Sequence, residues 1–256
     1  MLNKINRHQN ALSRPAIELG RGVGMVLLLA SAAGLMACSG SPTPNYYTLT
    51  SKMPSVQNTT VVNANVRMIE VLPVGLPDRL NRAPMLLQDA NGKSKVLDND
   101  RWTSTLGAEL RDGLSAGLQQ KLGAVDRYSS GMTGGKVTYR IATDFARFDI
   151  VERSGTKSTF NSATAKDIEV VVAWIIKRDD PNRPLTPDAS AKGSTLNQQL
   201  SCRMAFSTPV PGNGQHIADV VSTSQTSLNR VVDAVAASVV VAEGKTSAKV
   251  EGAVCS

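Results

Sequence analysis

The chain has 256 residues and a formal net charge of +7, with 41% hydrophobic but only 4% aromatic residues. That length holds one or two ordinary domains, and the core must be mainly aliphatic. The first 37 residues carry four of the 28 bases and one of the 21 acids, so the remainder has 24 bases against 20 acids, scattered without a run of five bases. A nucleic-acid footprint is denser and clustered, which excludes that class of partner.

Residues 1–22 are polar and hold Lys4, Arg7, Arg14 and Arg21; residues 23–37, VGMVLLLASAAGLMA, are apolar and uncharged. As a helix this run spans about 22 Å, short of a hydrocarbon core of about 30 Å. A basic stretch, a short apolar stretch and a small residue before a cut site describe a secretory signal rather than a buried N-terminal helix. Leu35-Met36-Ala37-Cys38 resembles the bacterial lipobox, although Met36 is bulkier than the usual small residue there. The resemblance implies that the Cys38 thiolate takes a diacylglycerol group as a thioether and becomes the mature N-terminus. Two or more acyl chains hold a protein stably on a membrane. Ser39 stands where an aspartate would resemble an inner-membrane retention signal, so the implied location is the periplasmic face of the outer membrane.

Residues 39–45, SGSPTPN, form a tether, and YYTLT (46–50) starts the folded part as a strand. The organisation expected is a signal peptide over 1–37, an acylated cysteine and tether over 38–45, and one domain over 46–256. With Cys38 acylated, Cys202 and Cys255 remain, and an even pair in an oxidising compartment points to a disulfide, two free thiols being the alternative. Closing that loop would contribute about 4 kcal/mol in the chain-entropy model.

Residues 64–72 read as the next strand, followed by a stretch broken by Pro77 and Pro84. A strand at 85–89 turns at Asn91-Gly92 toward 94–97, a strong hairpin signal. Residues 101–123 are predicted as a helix, with Leu106, Leu110, Leu114, Leu118 and Leu122 on one turning stripe and Gly123 as its stop. Gly113 and Gly117 weaken this helix and suggest close packing against a sheet. Residues 136–152 read as a long strand with Tyr139, Ile141 and Phe145 on one face, returning through the polar loop 154–165. The strand 167–177, DIEVVVAWIIK, is apolar on both faces, as in a central buried strand. A long loop at 179–197 precedes strand 199–207. The last element, from near Asn213, has Ile217, Val221, Ser224, Leu228, Val231, Val235 and Val239 on one helical face. VVSTSQTS is a poor helix former, so packing must hold it. The order gives one α+β domain, a mostly antiparallel sheet with two main helices on one face.

His216 is the one histidine after residue 37, and neither HExxH nor GxSxG occurs. GMTGGK (131–136) fails the Walker spacing, since Ser130 and Val137 stand where Gly and Ser/Thr are needed. Asp179-Asp180 and Asp98/Asp100 are expected in loops, without further acids at metal-ligand spacing. No catalytic, cofactor or metal residues are assigned.

NYYTL soon after Cys38, GLPDRLNRAPMLLQ (75–88), NDRWTSTLGAELRDGLSAGLQQKLG (99–123), EVVVAWIIK and the closing helix IADVVSTSQTSLNRVVDAVAASV come in an order that resembles the ABC-type transport auxiliary lipoproteins, the paraquat-inducible lipoprotein C-like group. The resemblance implies a non-catalytic accessory of a system with an inner-membrane permease, an ATPase and periplasmic mammalian-cell-entry (MCE) domain proteins, moving lipids or other hydrophobic molecules between membranes. A structural or regulatory envelope lipoprotein with no transport role is the other reading, and self-association stays open. Loop residues Pro77, Asp78, Arg79 and Arg82 are the expected partner contact, since functional contacts concentrate on loops. The bland roles are a turn for these residues, a first strand for Tyr46 and Tyr47, and a helix-to-sheet anchor for Trp102.

Replacing the thiol tests the anchor. Cys38→Ser should accumulate as unprocessed precursor on an immunoblot; normal processing and outer-membrane fractionation would refute acylation at this residue.

Overall fold

The structure is a computed structural model that describes residues 42–50, 66–130, 135–153, 165–181, 199–244 and 250–256. Short strands β1 (Asn45–Tyr47), β2 (Met68–Val71) and β3 (Pro84–Gln88) precede β4 (Ser94–Trp102) and helix α1 (Leu106–Leu122). β5 (Val125–Asp126) and one turn of helix, α2 (Arg127–Ser130), lead to the two longest strands, β6 (Thr138–Glu152) and β7 (Lys166–Asp179). β8 (Gln199–Pro209), a 3-10 turn at Pro211–Gly214, α3 (Ile217–Ala242) and β9 (Val254–Cys255) complete a unit spanning Pro44–Ser256. The class is the expected α+β: two long helices and a mixed, mostly antiparallel sheet of nine strands. Cys38, Gly131–Gly134 and most of the loops expected at 154–165 and 179–197 lie outside the described residues.

The strand order is β1-β4-β3-β6-β7-β8-β9. One edge of β6 is shared: β2 runs parallel to it over Thr138–Ile141, and β3 over Ile150–Val151. Its other edge pairs with β7 in an antiparallel hairpin. The expected face of β6 is buried, with Tyr139, Ile141 and Phe145 all inside. A bulge at Ala146 then shifts the register, so Phe148 and Ile150 also turn inward, and Phe145 meets Phe148 edge-to-face at 5.9 Å.

Three boundaries and one face differ from expectation. Arg101 and Trp102 end a strand rather than start a helix: β4 pairs with β1 through Tyr46↔Arg101 and Tyr47↔Trp102. The helix begins where the leucine repeat begins, at Leu106, after an extended Thr105. Asp98 and Asp100, expected in a loop, lie in the same strand, as Asp179 lies in β7. α3 starts at Ile217, because Pro211 and the positive-φ glycines 212 and 214 hold the preceding turn. The strand expected to be buried on both faces is buried on one: Ile168, Val170, Val172, Trp174 and Ile176 are inside, whereas Val171, Ala173 and Ile175 are exposed. β7 is central in its pairing, between β6 and β8, but the long helices cover only one side of it.

α1 buries Leu106, Leu110, Leu114, Leu118 and Leu122, each contributing about 1.5–3 kcal/mol of transfer free energy. It ends on Gly123 at φ +63°, a left-handed conformation that a side chain would strain. Gly113 and Gly117 serve a different contact from the expected helix-to-sheet one. A Cβ on Gly113 would lie 2.5 Å from Leu228 Cδ2, and one on Gly117 would lie 2.8 and 2.9 Å from the two methyls of Val232. Both leucine and valine belong to α3, so the glycines set how closely the helices approach. α3 tolerates its Ser/Thr-rich sequence because the hydroxyls turn back onto it: Thr223, Ser224, Thr226 and Ser238 donate to the carbonyls of Asp219, Val220, Ser222 and Ala234. Ser238 also accepts the indole N–H of fully buried Trp174 at 3.2 Å, tying α3 to β7.

Alanine normally strengthens a helix by about 1 kcal/mol over glycine. Here Gly117→Ala should lower the urea midpoint, because the stiff, β-branched Val232 cannot turn aside and overpacking costs about 1–3 kcal/mol. Gly113→Ala should lose less, since it meets the movable end of Leu228. A raised midpoint for Gly117→Ala would show that the helices are not in tight contact.

Candidate partner surface

The loop expected to contact a partner proves to be built into the start of α1. Leu80 is buried, and its N–H and that of Asn81 close a turn on the Pro77 carbonyl. The Arg82 carbonyl accepts the Leu106 N–H at 3.2 Å, and Asn81 Oδ1 accepts that of Gly107 at 3.4 Å. Two of the donors orphaned at a helix N-terminus are thus satisfied from this loop. Arg79 reaches β6, where both its terminal nitrogens donate to buried Asp149, at 2.6 and 3.1 Å. Asp78 and Arg82 remain exposed. Beside them Pro73, Val74, Asn81, Ala108 and Asp112 border an open cavity of about 310 Å³.

Other conspicuous polar groups also have structural duties. Buried Asp126 accepts hydrogen bonds from Arg111, Ser115 and the N–H groups of Val71 and Tyr128, which joins β2, α1 and α2. His216 is exposed at the start of α3, where its carbonyl accepts the Asp219 and Val220 N–H groups. Among the described residues no group of three His, Cys, Asp or Glu could hold a metal ion, and no helix is long and apolar enough to cross a membrane.

The surface that sequence reasoning missed is the outer face of the sheet. Ala142, Ala146, Val171, Ala173, Ile175 and Ala205 alternate with the buried residues of β6, β7 and β8. Val171 is 36% exposed, Ile175 42%, and Val254 of β9 66%. Asp144, Ala146, Val171, Ala173, Arg203, Ala205, Gly252 and Val254 border a groove of about 450 Å³. β9 forms one wall of this groove. It pairs Cys202↔Cys255 and Arg203↔Val254, Ser201 and Ser256 exchange backbone hydrogen bonds, and Cys202 is joined to Cys255 by a disulfide. One signal was present in the sequence: alanine is a poor strand former, so four alanines at outward positions require a reason other than propensity.

Residues 47–236 match the family of ABC-type transport auxiliary lipoprotein components. The chain belongs to that family. No curated protein matches it. Two solved structures share the fold of this auxiliary lipoprotein. Protein XCC0632 from Xanthomonas campestris, a DUF330 protein, has a TM-score of 0.53 at 11% identity, covering 78% of this chain and 98% of its own. A crystal structure described as that of an uncharacterized protein has a TM-score of 0.50 at 15% identity, covering 77% of this chain and 99% of its own.

A lipoprotein family draws attention to how the folded unit begins, since any anchor upstream reaches it through β1. Tyr46 is 60% exposed, while Tyr47 packs partly on the core and its hydroxyl donates to Asp100 at 3.5 Å. Just beyond, Glu109 of α1 gathers the chain. Its carboxylate accepts Thr48 Oγ1 at 2.8 Å and the Leu49 N–H at 2.9 Å on one oxygen, and the Thr103 and Ser104 hydroxyls on the other. Gln225 of α3 donates to the Thr48 carbonyl at 2.9 Å, and Leu49 is buried. Burial pushes the Glu109 carboxyl up, but the four hydrogen bonds outweigh it and hold the group below the usual glutamate range.

A lowered folded-state pKa gives stability that is complete above the unfolded value, about 4.3 for glutamate, and that is lost as pH falls through the folded value. Glu109→Gln leaves an NH₂ facing donors and should cost about 1–3 kcal/mol at pH 7 in urea unfolding. The gap to wild type should narrow as acidification protonates the native carboxyl. An unchanged gap between pH 7 and pH 3 would contradict an ionised Glu109.

Proposed function

We propose that this auxiliary lipoprotein is anchored through Cys38 in the outer membrane, faces the periplasm, and serves as a non-catalytic subunit of an ABC/MCE-type system moving lipids or other hydrophobic molecules between membranes. The family supports the association with ABC-type transport. The observation that carries the finer reading is the outer sheet face: the long helices pack on the opposite side, and among the described residues no comparable layer covers its apolar stripe of Val171, Ala173 and Ile175. Exposed apolar surface of this kind marks interaction with proteins or hydrophobic ligands. Pro77, Asp78, Arg79 and Arg82 remain proposed partner contacts: Asp78 and Arg82 are exposed, and Arg79 is partly exposed while held by Asp149. The Cys202–Cys255 bond suits a protein exposed to an oxidising periplasm.

Cross-linking in intact cells followed by affinity purification of the lipoprotein tests the reading. The expected partners are an MCE-domain protein and its permease or ATPase. Recovery of cell-wall or secretion proteins alone would overturn it in favour of a structural or regulatory envelope role.

A further inference from the structure

Many of the charges on the hairpin of β6 and β7 are neutralised locally. Arg140 pairs with Glu70, Arg147 with Glu169, Arg153 with Asp167 and Arg178 with Asp180. Two charged residues bordering the groove are exceptions. Asp144 of β6 and Arg203 of β8 are exposed and have no ion-pair or hydrogen-bond partner among the described residues. They occupy the same row of the sheet, on either side of Ala173, in the pairings Asp144↔Ala173 and Ala173↔Arg203. Their backbones are two strands apart, about 10 Å, and the Asp144 carboxyl lies over Gly75, on the side away from Ala173, so the two charges do not meet and are spaced for the two ends of one small dipolar group. In the next row Val171 stands between Ala205 and Arg147, the arginine being held by Glu169, and Val254 beside Arg203 closes the side.

We propose that this groove binds a zwitterionic amphiphile, with its phosphate on Arg203, its ammonium on Asp144, and one acyl chain over Val171, Ala205 and Val254. The assignment deepens the transport reading and rests on it for the source of the ligand. A guanidinium makes paired, charge-assisted hydrogen bonds to phosphate. A carboxylate on the opposite side disfavours a simple anion and favours a head that carries both signs. Ala173 between them leaves room for that head, where a larger side chain would fill the row. The groove, about 450 Å³, lies within the range of about 300–1,000 Å³ typical of small-molecule sites. Its dimensions suit one lipid chain, whereas a stable protein contact usually covers about 800 Å² on each partner.

The full-length lipoprotein can be tested in its own membrane. A genetically encoded diazirine amino acid at Ala205 is photolysed in cells labelled with radioactive phosphate, and the same group at exposed Asn229 on α3 reports chance contact with lipid. We expect phospholipid label at Ala205 about tenfold above Asn229, the ratio that a preference of about 1.4 kcal/mol gives. Mass spectrometry of the adduct should show a head bearing phosphate and amine. Arg203→Glu and Asp144→Lys should each remove most of that label, and the double exchange should restore part of it. Equal label at both positions, or an adduct with protein instead of lipid, would overturn the proposal. So would a rise in label with Asp144→Lys, which would indicate a plain anion. Loss of the lipid adduct with MCE-protein recovery intact would sink the groove alone; a lipid adduct without any transport partner would sink the transport reading alone.

Discussion

Fourteen residues of β6 pair antiparallel with β7, and almost every other element takes its position from that ribbon. β2 and β3 divide the free edge of β6 between them, β8 occupies the free edge of β7, and α3 lies over β7 and β8. The bulge at Ala146 keeps the ribbon in one piece with one inner face. Without it the side chains after Phe145 would fall on the wrong side, because a one-residue slip in a strand exchanges its two faces.

α1 joins this frame through α3, at the glycine contacts, and through the Arg111–Asp126 pair beside β2 and β5. The two helices therefore form a single layer on one side of the sheet. No comparable layer among the described residues covers Val171, Ala173 and Ile175 on the other side. That asymmetry gives the sheet a packed face and an available face, and the proposed lipid groove falls on the second.

Much of the fold was legible because it rests on local period. The leucines four apart define α1, the alternation from Tyr139 to Phe145 defines the start of β6, and Asn91-Gly92 marks the hairpin between β3 and β4. What was not legible depended on the third dimension. In DIEVVVAWIIK every even position is apolar, while the odd positions are charged at Asp167, Glu169 and Lys177 but apolar at Val171, Ala173 and Ile175; the alternation is hidden in the middle of the strand, where packing of α3 on one side leaves Val171 facing water and Val172 inside. Gly113 and Gly117 announced a close approach, but the approaching element lies more than a hundred residues downstream, at Leu228 and Val232. The Pro77–Arg82 loop keeps exposed side chains, but its second duty was hidden: Asn81 and the Arg82 carbonyl complete the N-terminus of a helix that a one-dimensional reading started five residues too early.

The Glu109 cluster carries a mechanical consequence. A tension applied to the chain upstream of Asn45 enters the domain through three residues of β1, paired parallel with Asp100–Trp102. That ladder is short, and by itself it would peel from the sheet edge under modest force. Behind it, the Thr48 hydroxyl and Leu49 amide are held by a carboxylate on α1, the Thr48 carbonyl is held by α3, and the Leu49 side chain is buried. A pull is thereby passed from the outermost strand into the helical layer, so the edge can yield while the core keeps its shape.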